Sequence, residues 1–166
     1  MNLSVLLLLV ALLALAYAAF NFFKVKRLDE GTDTMKHIAS AIRIGANTFI
    51  EYEYKVLAIV ILVVALIVWL ALDWYCAVAI LLGSSMSASA GLIGMTIATY
   101  ANVRVTNEAR NTKNIGQTLK VAFRGGSVMG LCVAGFALLG LSIVYMVFGK
   151  MLGWMDTLEV ATRWLT

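Results

Sequence analysis

Four apolar stretches constrain this chain more than any other feature. They are Leu3–Phe23, Val56–Leu72, Trp74–Thr99 and Val121–Phe148. Each is of the length that crosses about 30 Å of hydrocarbon as a helix. No proline interrupts them or occurs anywhere else. In lipid every backbone N–H and C=O must be bonded internally, so only helices and closed barrels span a membrane. A barrel would show alternating segments of about ten residues, and these runs are continuous instead. The expected fold is an all-α integral membrane protein with four transmembrane helices in one membrane domain, residues 1–166. Composition agrees: 62% of residues are hydrophobic and 13% charged, against about 45–50% and about 25% in soluble domains.

Charge placement predicts orientation. Residues 24–55 carry Lys24, Lys26, Arg27, Lys36, Arg43 and Lys55, and residues 100–124 carry Arg104, Arg110, Lys113, Lys120 and Arg124. The other side has Lys150 and Arg163 alone. By the positive-inside rule the two richer segments are cytoplasmic and both termini are not. No Lys or Arg precedes the first run, and three follow it within four residues. That order predicts an uncleaved anchor rather than a secretory signal. The net charge of +4 does not call for nucleic acid, because the basic residues sit in two short segments flanking apolar spans. The partner implied is the lipid bilayer, with the chain multi-pass in the cell (inner) membrane.

The cytoplasmic segments read as ordered. Met35, Ile38, Ile42, Phe49 and Ile50 recur at helical spacing, extended by Ala39 and Ala46. Thr32 or Asp33 can cap this helix, and Glu51 and Lys55 stand four apart as a favourable pair. Continued into the second span, it runs from about Asp33 to Leu72, about 60 Å at 1.5 Å per residue. Its apolar stripe then needs a partner helix or the membrane surface.

Small residues suggest close helix packing. Gly83, Ser87 and Gly91 are spaced by four, as are Ala90, Gly94 and Ala98, and then Gly126, Gly130 and Ala134. Such spacing lets membrane helices approach. Because the third span carries small residues on more than one face, it is expected inside a bundle of more than four helices. Arg104, Arg110 and Arg124 are expected at the cytoplasmic interface, Arg124 as a snorkelling anchor whose head can reach phosphate or a partner carboxylate.

Reaction chemistry is sparse. There is no P-loop, no H-E-x-x-H helix and no G-x-S-x-G elbow. The single histidine, His37, lies on the cytoplasmic helix. Cys76 and Cys132 sit in apolar runs, where free thiols are expected. Asp29 and Asp33, four apart, could offer magnesium two carboxylates, but they flank a helix start, where acids favour the dipole. No acidic residue lies deep in a span, so these helices alone lack the ionisable group of an ion relay. No catalytic, cofactor-binding or metal-binding residue is assigned.

The segment "EGTDTMKHIASAIRIGANTFIEYEYK" resembles the region before the second helix of membrane-integral inorganic pyrophosphatases. The shared pattern falls on Glu30–Thr32, Met35, Ile38–Ala39, Ile42, Gly45–Ala46, Phe49 and Glu53–Lys55. "GLIGMTIATYANVRVTNEAR" (Gly91–Arg110) and "VAFRGGSVMG" (Val121–Gly130) match in the same order. The resemblance runs from Glu30 to about Leu141. It implies an ion pump that hydrolyses cytoplasmic pyrophosphate with Mg2+, with K+ required in some members. Protons or sodium ions are moved across the membrane by a homodimer of about sixteen helices per chain. In that family the aspartate-rich motifs that hold pyrophosphate follow the fourth helix, and they have no counterpart here. The chain is therefore expected to be an N-terminal fragment, about a quarter of a pump and inactive alone. Two alternatives stand beside it: a non-catalytic helical membrane module, and a small transporter subunit.

Overall fold

The computed structural model describes residues 3–147. The outer end of the fourth span, and the tail with Lys150 and Arg163, lie outside the described residues. Within them are four helices: α1 (Leu3–Lys26), α2 (Asp33–Ala71), α3 (Trp74–Thr112) and α4 (Ile115–Val144). All four are long and apolar enough to cross a membrane, which gives a multi-pass membrane bundle.

The helices run up and down in alternation. The α1–α2 and α3–α4 connections meet at one end, here called the basic end, and α2–α3 turns at the other. α3 packs between α2 and α4, and α1 lies along α4 while touching α3. α2 and α3 have 39 residues each, or about 59 Å at 1.5 Å per residue. This is about twice the hydrocarbon thickness, so both extend past the apolar layer as a helical pair. Only part of the α2 stripe is covered by this extension of α3: Ala39 is buried, while Ile38, Ile42 and Phe49 stay exposed. Met35, Ile38, Ala39 and Ile42 face Thr99, Asn102, Val103 and Thr106 across a cleft of about 180 Å3.

Local chemistry sets the helix ends. Thr32 caps α2 by accepting from the Met35 N–H at 3.4 Å. Asn114 caps α4, its Oδ1 accepting from the Gly116 N–H at 2.9 Å and the Gln117 N–H at 3.4 Å. α3 ends at Lys113, whose φ of 49° is left-handed. Glycine usually takes that place after a helix.

Most buried positions of three helices share one spacing. On α4 they are Val121, Gly125, Val128, Cys132, Gly135 and, one further seven-residue step on, Ser142. On α3 they include Ala90, Gly94, Ile97, Ala101 and Arg104. On α1, Ala11, Ala18 and Val25 are buried, with Leu15 and Phe22 packed beside them. Along these residues steps of four and three alternate, the spacing of a seven-residue helix seam, while Ala77 and Asn107 on α3 and Asn21 on α1 are buried outside it. Gly94, Ala101, Gly125 and Gly135 are the small residues of the seam, and at them the helices approach closely. A Cβ on Gly125 would lie 2.8 Å from Ala101 Cβ, and one on Gly135 would lie 2.8 Å from Leu15. Cys76 and Cys132 are free thiols.

Candidate functional site

The densest polar structure in the described residues lies at the basic end, where the α1–α2 loop is clasped to α3. Helix α1 ends with carbonyls that have no partner inside the helix. Arg104, reaching across from α3, supplies donors to them. Its Nη2 donates to the Lys26 carbonyl at 2.9 Å and its Nε to the Leu28 carbonyl at 3.0 Å. Its Nη1 returns to the Tyr100 carbonyl at 2.8 Å. Asn107 donates from Nδ2 to the Asp29 carbonyl at 3.3 Å. The guanidinium fork of arginine can hold several acceptors at once, which lysine cannot.

Glu30 joins the three elements. Its Oε1 lies 2.9 Å from Arg104 Nη2 and also accepts from Arg43 Nη2 on α2. Burial alone would raise the Glu30 pKa. The hydrogen bonds and positive charges of Arg43 and Arg104 outweigh that and hold the carboxyl below its usual range. The Tyr100 ring is ringed by cations: Arg43 lies 4.2 Å from its centroid, Arg104 5.3 Å and Lys26 5.5 Å. All lie within cation–π reach.

Gly31, between Glu30 and Thr32, has φ +88°. A Cβ there would lie 2.6 Å from Asn107 Oδ1, so both backbone and space demand glycine. The triplet Glu30–Gly31–Thr32 thus combines an ion-pair bridge, a left-handed turn and a helix cap.

The sequence-predicted residues fall into different places. Arg104 is 5% exposed and spends its donors on protein at the basic end. Arg110 is exposed and Arg124 half-buried. Gly94 is in the seam, where a Cβ would meet Met129 Cγ at 2.8 Å, and a Cβ on Gly91 would stand 3.2 Å from the Tyr54 hydroxyl. Gly83, Gly126 and Gly130 have nothing within 4 Å of a Cβ among the described residues, and Ser87 is exposed. The physical reason is the period. A stripe of fours drifts off a seam that alternates fours and threes, and on α4 that seam runs through Gly125 instead of Gly126.

Two residues carry contacts that sequence reasoning missed. Asn21, buried inside the first apolar run, donates to Ser127 Oγ on α4 at 3.2 Å, and Ser127 donates to the Arg124 carbonyl at 2.9 Å. An asparagine within an apolar run was the available signal, since such residues bond across helices in lipid. Asn107 is the second, seven residues from Tyr100 on the buried face of α3.

The clasp contains no nucleophile paired with a base. Among the described residues no three His, Cys, Asp or Glu side chains gather as a metal-ligand set. Asp33 is fully exposed and pairs with Lys36 at 3.3 Å. Asp33 and its neighbours do not fit a magnesium site.

The sequence matches the family of inorganic H+ pyrophosphatases over residues 12–164. The chain belongs to this family. It is 52% identical over 165 residues to a K+-stimulated pyrophosphate-energized sodium pump of Thermotoga maritima, covering 99% of this chain and 23% of that protein. It is 40% identical over 143 residues to a K+-insensitive pyrophosphate-energized proton pump of Methanosarcina mazei, covering 85% of this chain and 21% of the pump. A second K+-insensitive proton pump, from Moorella thermoacetica, is 42% identical over 139 residues, 83% of this chain and 20% of the pump. The chain thus spans about a fifth to a quarter of the length of these pyrophosphatase relatives. The clasp triplet Glu30–Gly31–Thr32 and the α3 segment that grips it both lie within the matched residues.

Proposed function

We propose that this chain is the N-terminal part of a membrane pump that couples pyrophosphate hydrolysis to movement of sodium ions or protons. The observation that carries the reading is the family match across residues 12–164. The four helices are the first quarter of a bundle of about sixteen, with the basic end cytoplasmic and both chain termini on the other side. The bias of Lys and Arg toward the two connections at that end supports this orientation. In the intact pump the remaining helices supply the aspartates for Mg2+ and pyrophosphate, K+ acts as a further cofactor in responsive members, and two chains form a homodimer. The role of residues 1–166 is to scaffold: the clasp fixes the α1–α2 loop to α3, and the seams hold α1, α3 and α4 as one unit.

Expression supplies the test. Membranes containing the 166-residue chain should show no Mg2+-dependent pyrophosphate hydrolysis above an empty-vector control. A chimaera joining residues 1–166 to the remainder of the Thermotoga maritima pump should hydrolyse pyrophosphate and move sodium ions. Hydrolysis by the short chain, or an inserted but inactive chimaera, would overturn the reading. A topology reporter near Asn111 should read cytoplasmic and one at Thr166 should not; the reverse pattern refutes the orientation.

A further inference from the structure

Near the basic end the α1–α4 pair has one flank toward α3 and one away from it. On α1, Val25 is buried in the core. Lys26, the next residue, reaches the Tyr100 ring of α3. Lys24, the residue before, leaves on the opposite flank, because successive helix residues turn by about 100°. On α4, Val128 is buried in the same core. Met129, the next residue, is what a Cβ on Gly94 of α3 would meet. Ser127, the residue before, meets Asn21 of α1 at 3.2 Å. Arg124 and Lys120 stand three and seven residues before Ser127, on the same side of α4. Asn21 and Ser127 are level, so Lys24 and Arg124, each three residues nearer the basic end, are level as well. Both stand where the apolar run of their helix gives out, and Lys120 lies one turn further out. Helices α1 and α4 contain no Asp or Glu. Among the described residues none of Lys24, Lys120 and Arg124 forms an ion pair. On the apolar side of Lys24, its Nζ lies 5.4 Å from the Phe20 ring centroid, and Tyr17 stacks on Phe20. Both rings are 57% exposed.

We propose that Lys24, Lys120 and Arg124 form a binding site for the headgroup phosphate of an anionic phospholipid, whose acyl chains lie along Phe20 and Tyr17. The inference goes beyond the pump reading and rests only on the multi-pass bundle. Three observations select this occupant. Cations from two helices gather with no acid on either helix, which calls for a negative charge; a zwitterionic headgroup would bring its own cation into the cluster. Basic pockets between membrane helices hold anionic headgroups in this way. The cluster also sits at the edge of two apolar runs at one level, where Lys and Arg side chains reach the phosphate layer. Half-buried Arg124 can offer its planar fork to two phosphate oxygens, while the lysines act as point charges. Finally, exposed rings lie on the apolar side of the cations. A free phosphate gains nothing from them, whereas a lipid removes them from contact with the headgroup layer.

The test uses the full-length chimaera in nanodiscs of phosphatidylcholine with a minor share of phosphatidylglycerol. A phosphatidylglycerol probe with a diazirine on its acyl chain should label the peptide that contains Tyr17 and Phe20 several-fold more than a phosphatidylcholine probe of the same design. Arg124→Gln should lower this labelling about fivefold, at about 1 kcal/mol per basic residue near the membrane surface. The combined variant Lys24→Gln, Lys120→Gln and Arg124→Gln should fall to the level of the phosphatidylcholine probe. The exchange Lys24→Arg with Arg124→Lys, which keeps the charge, should retain most of the labelling. Arg110→Gln, on α3, should retain all of it. Should a Gln variant aggregate, competition on the unsubstituted protein gives the same decision: unlabelled phosphatidylglycerol should displace the probe and phosphatidylcholine should not. Equal labelling by both probes would overturn the proposal, as would labelling unchanged in the combined variant or lowered as much by Arg110→Gln. Displacement by inorganic phosphate would assign the cluster to a free anion instead. No lipid adduct, with the cations cross-linked to a carboxylate of another helix, would show a protein partner in its place and overturn it too.

Discussion

Arg104 Nη2 stands 2.9 Å from Glu30 Oε1, and the same guanidinium holds the backbone at Lys26 and Leu28. One side chain therefore ties the end of α1 and the α1–α2 loop to α3, and Glu30 extends the tie to Arg43 on α2. Ion pairs at a surface contribute little. This one is mostly withdrawn from solvent, and removing one member of such a pair leaves donors or charge uncompensated.

Arg104→Ala should destabilise the detergent-solubilised protein by about 3 kcal/mol or more, read as a lowered thermal midpoint. Arg104→Lys should recover only a minor part, because an ammonium cannot span the same acceptors. Arg110→Ala, at an exposed position, should change stability by less than about 0.5 kcal/mol. Equal effects at Arg104 and Arg110 would refute the clasp.

Acid should loosen the clasp. The Glu30 pKa is depressed in the folded protein, so the folded state binds its proton less readily than the unfolded state does. Its contribution to stability is complete above the ordinary carboxylate value of about 4.3 and is lost as pH falls from there through the lower folded value. Glu30→Gln should flatten this part of the stability–pH profile, measured by thermal unfolding between neutral and acid pH. An unchanged profile in the variant would contradict the assignment.

The seam makes opposite predictions for neighbouring glycines. Gly125→Ala should cost about 1–3 kcal/mol, because its Cβ would sit 2.8 Å from the rigid Ala101 Cβ. Gly130→Ala meets nothing within 4 Å, so in the 166-residue chain it should be neutral or stabilising by up to about 1 kcal/mol. In the full-length chimaera Gly130→Leu should impair assembly, since the remaining helices are expected on that face. The thermal midpoint and the assembled fraction decide each case.

Asn21 and Ser127 form an interhelical bond in an apolar setting. A double-mutant cycle with Asn21→Leu and Ser127→Ala should give a coupling of about 0.6 kcal/mol, and no more than about 1.7. A coupling of zero would mean that the bond adds nothing beyond packing.

Much of this arrangement was legible in the residues. Four uninterrupted apolar runs require helices, because lipid offers the backbone no other partner. Thr32 announces a helix start, and Glu30–Gly31–Thr32 stands out in the resemblance before its geometry explains it. The packing face was not legible. Gly125 and Gly126 have the same side chain and adjacent places, and only the rotation of α4 against α3 decides which one is buried.

The sequence by itself determined that there are four long apolar helices and which connections carry the charge. These are one-dimensional properties, set by the hydrophobic effect and the cost of unpaired backbone in lipid. Tertiary structure decided that Arg104 turns inward to cap α1, that Asn21 meets Ser127, and that the seams follow fours and threes. Those outcomes depend on the azimuth of each helix about its own axis. A helix with small residues on several faces does not specify that azimuth; its neighbours do.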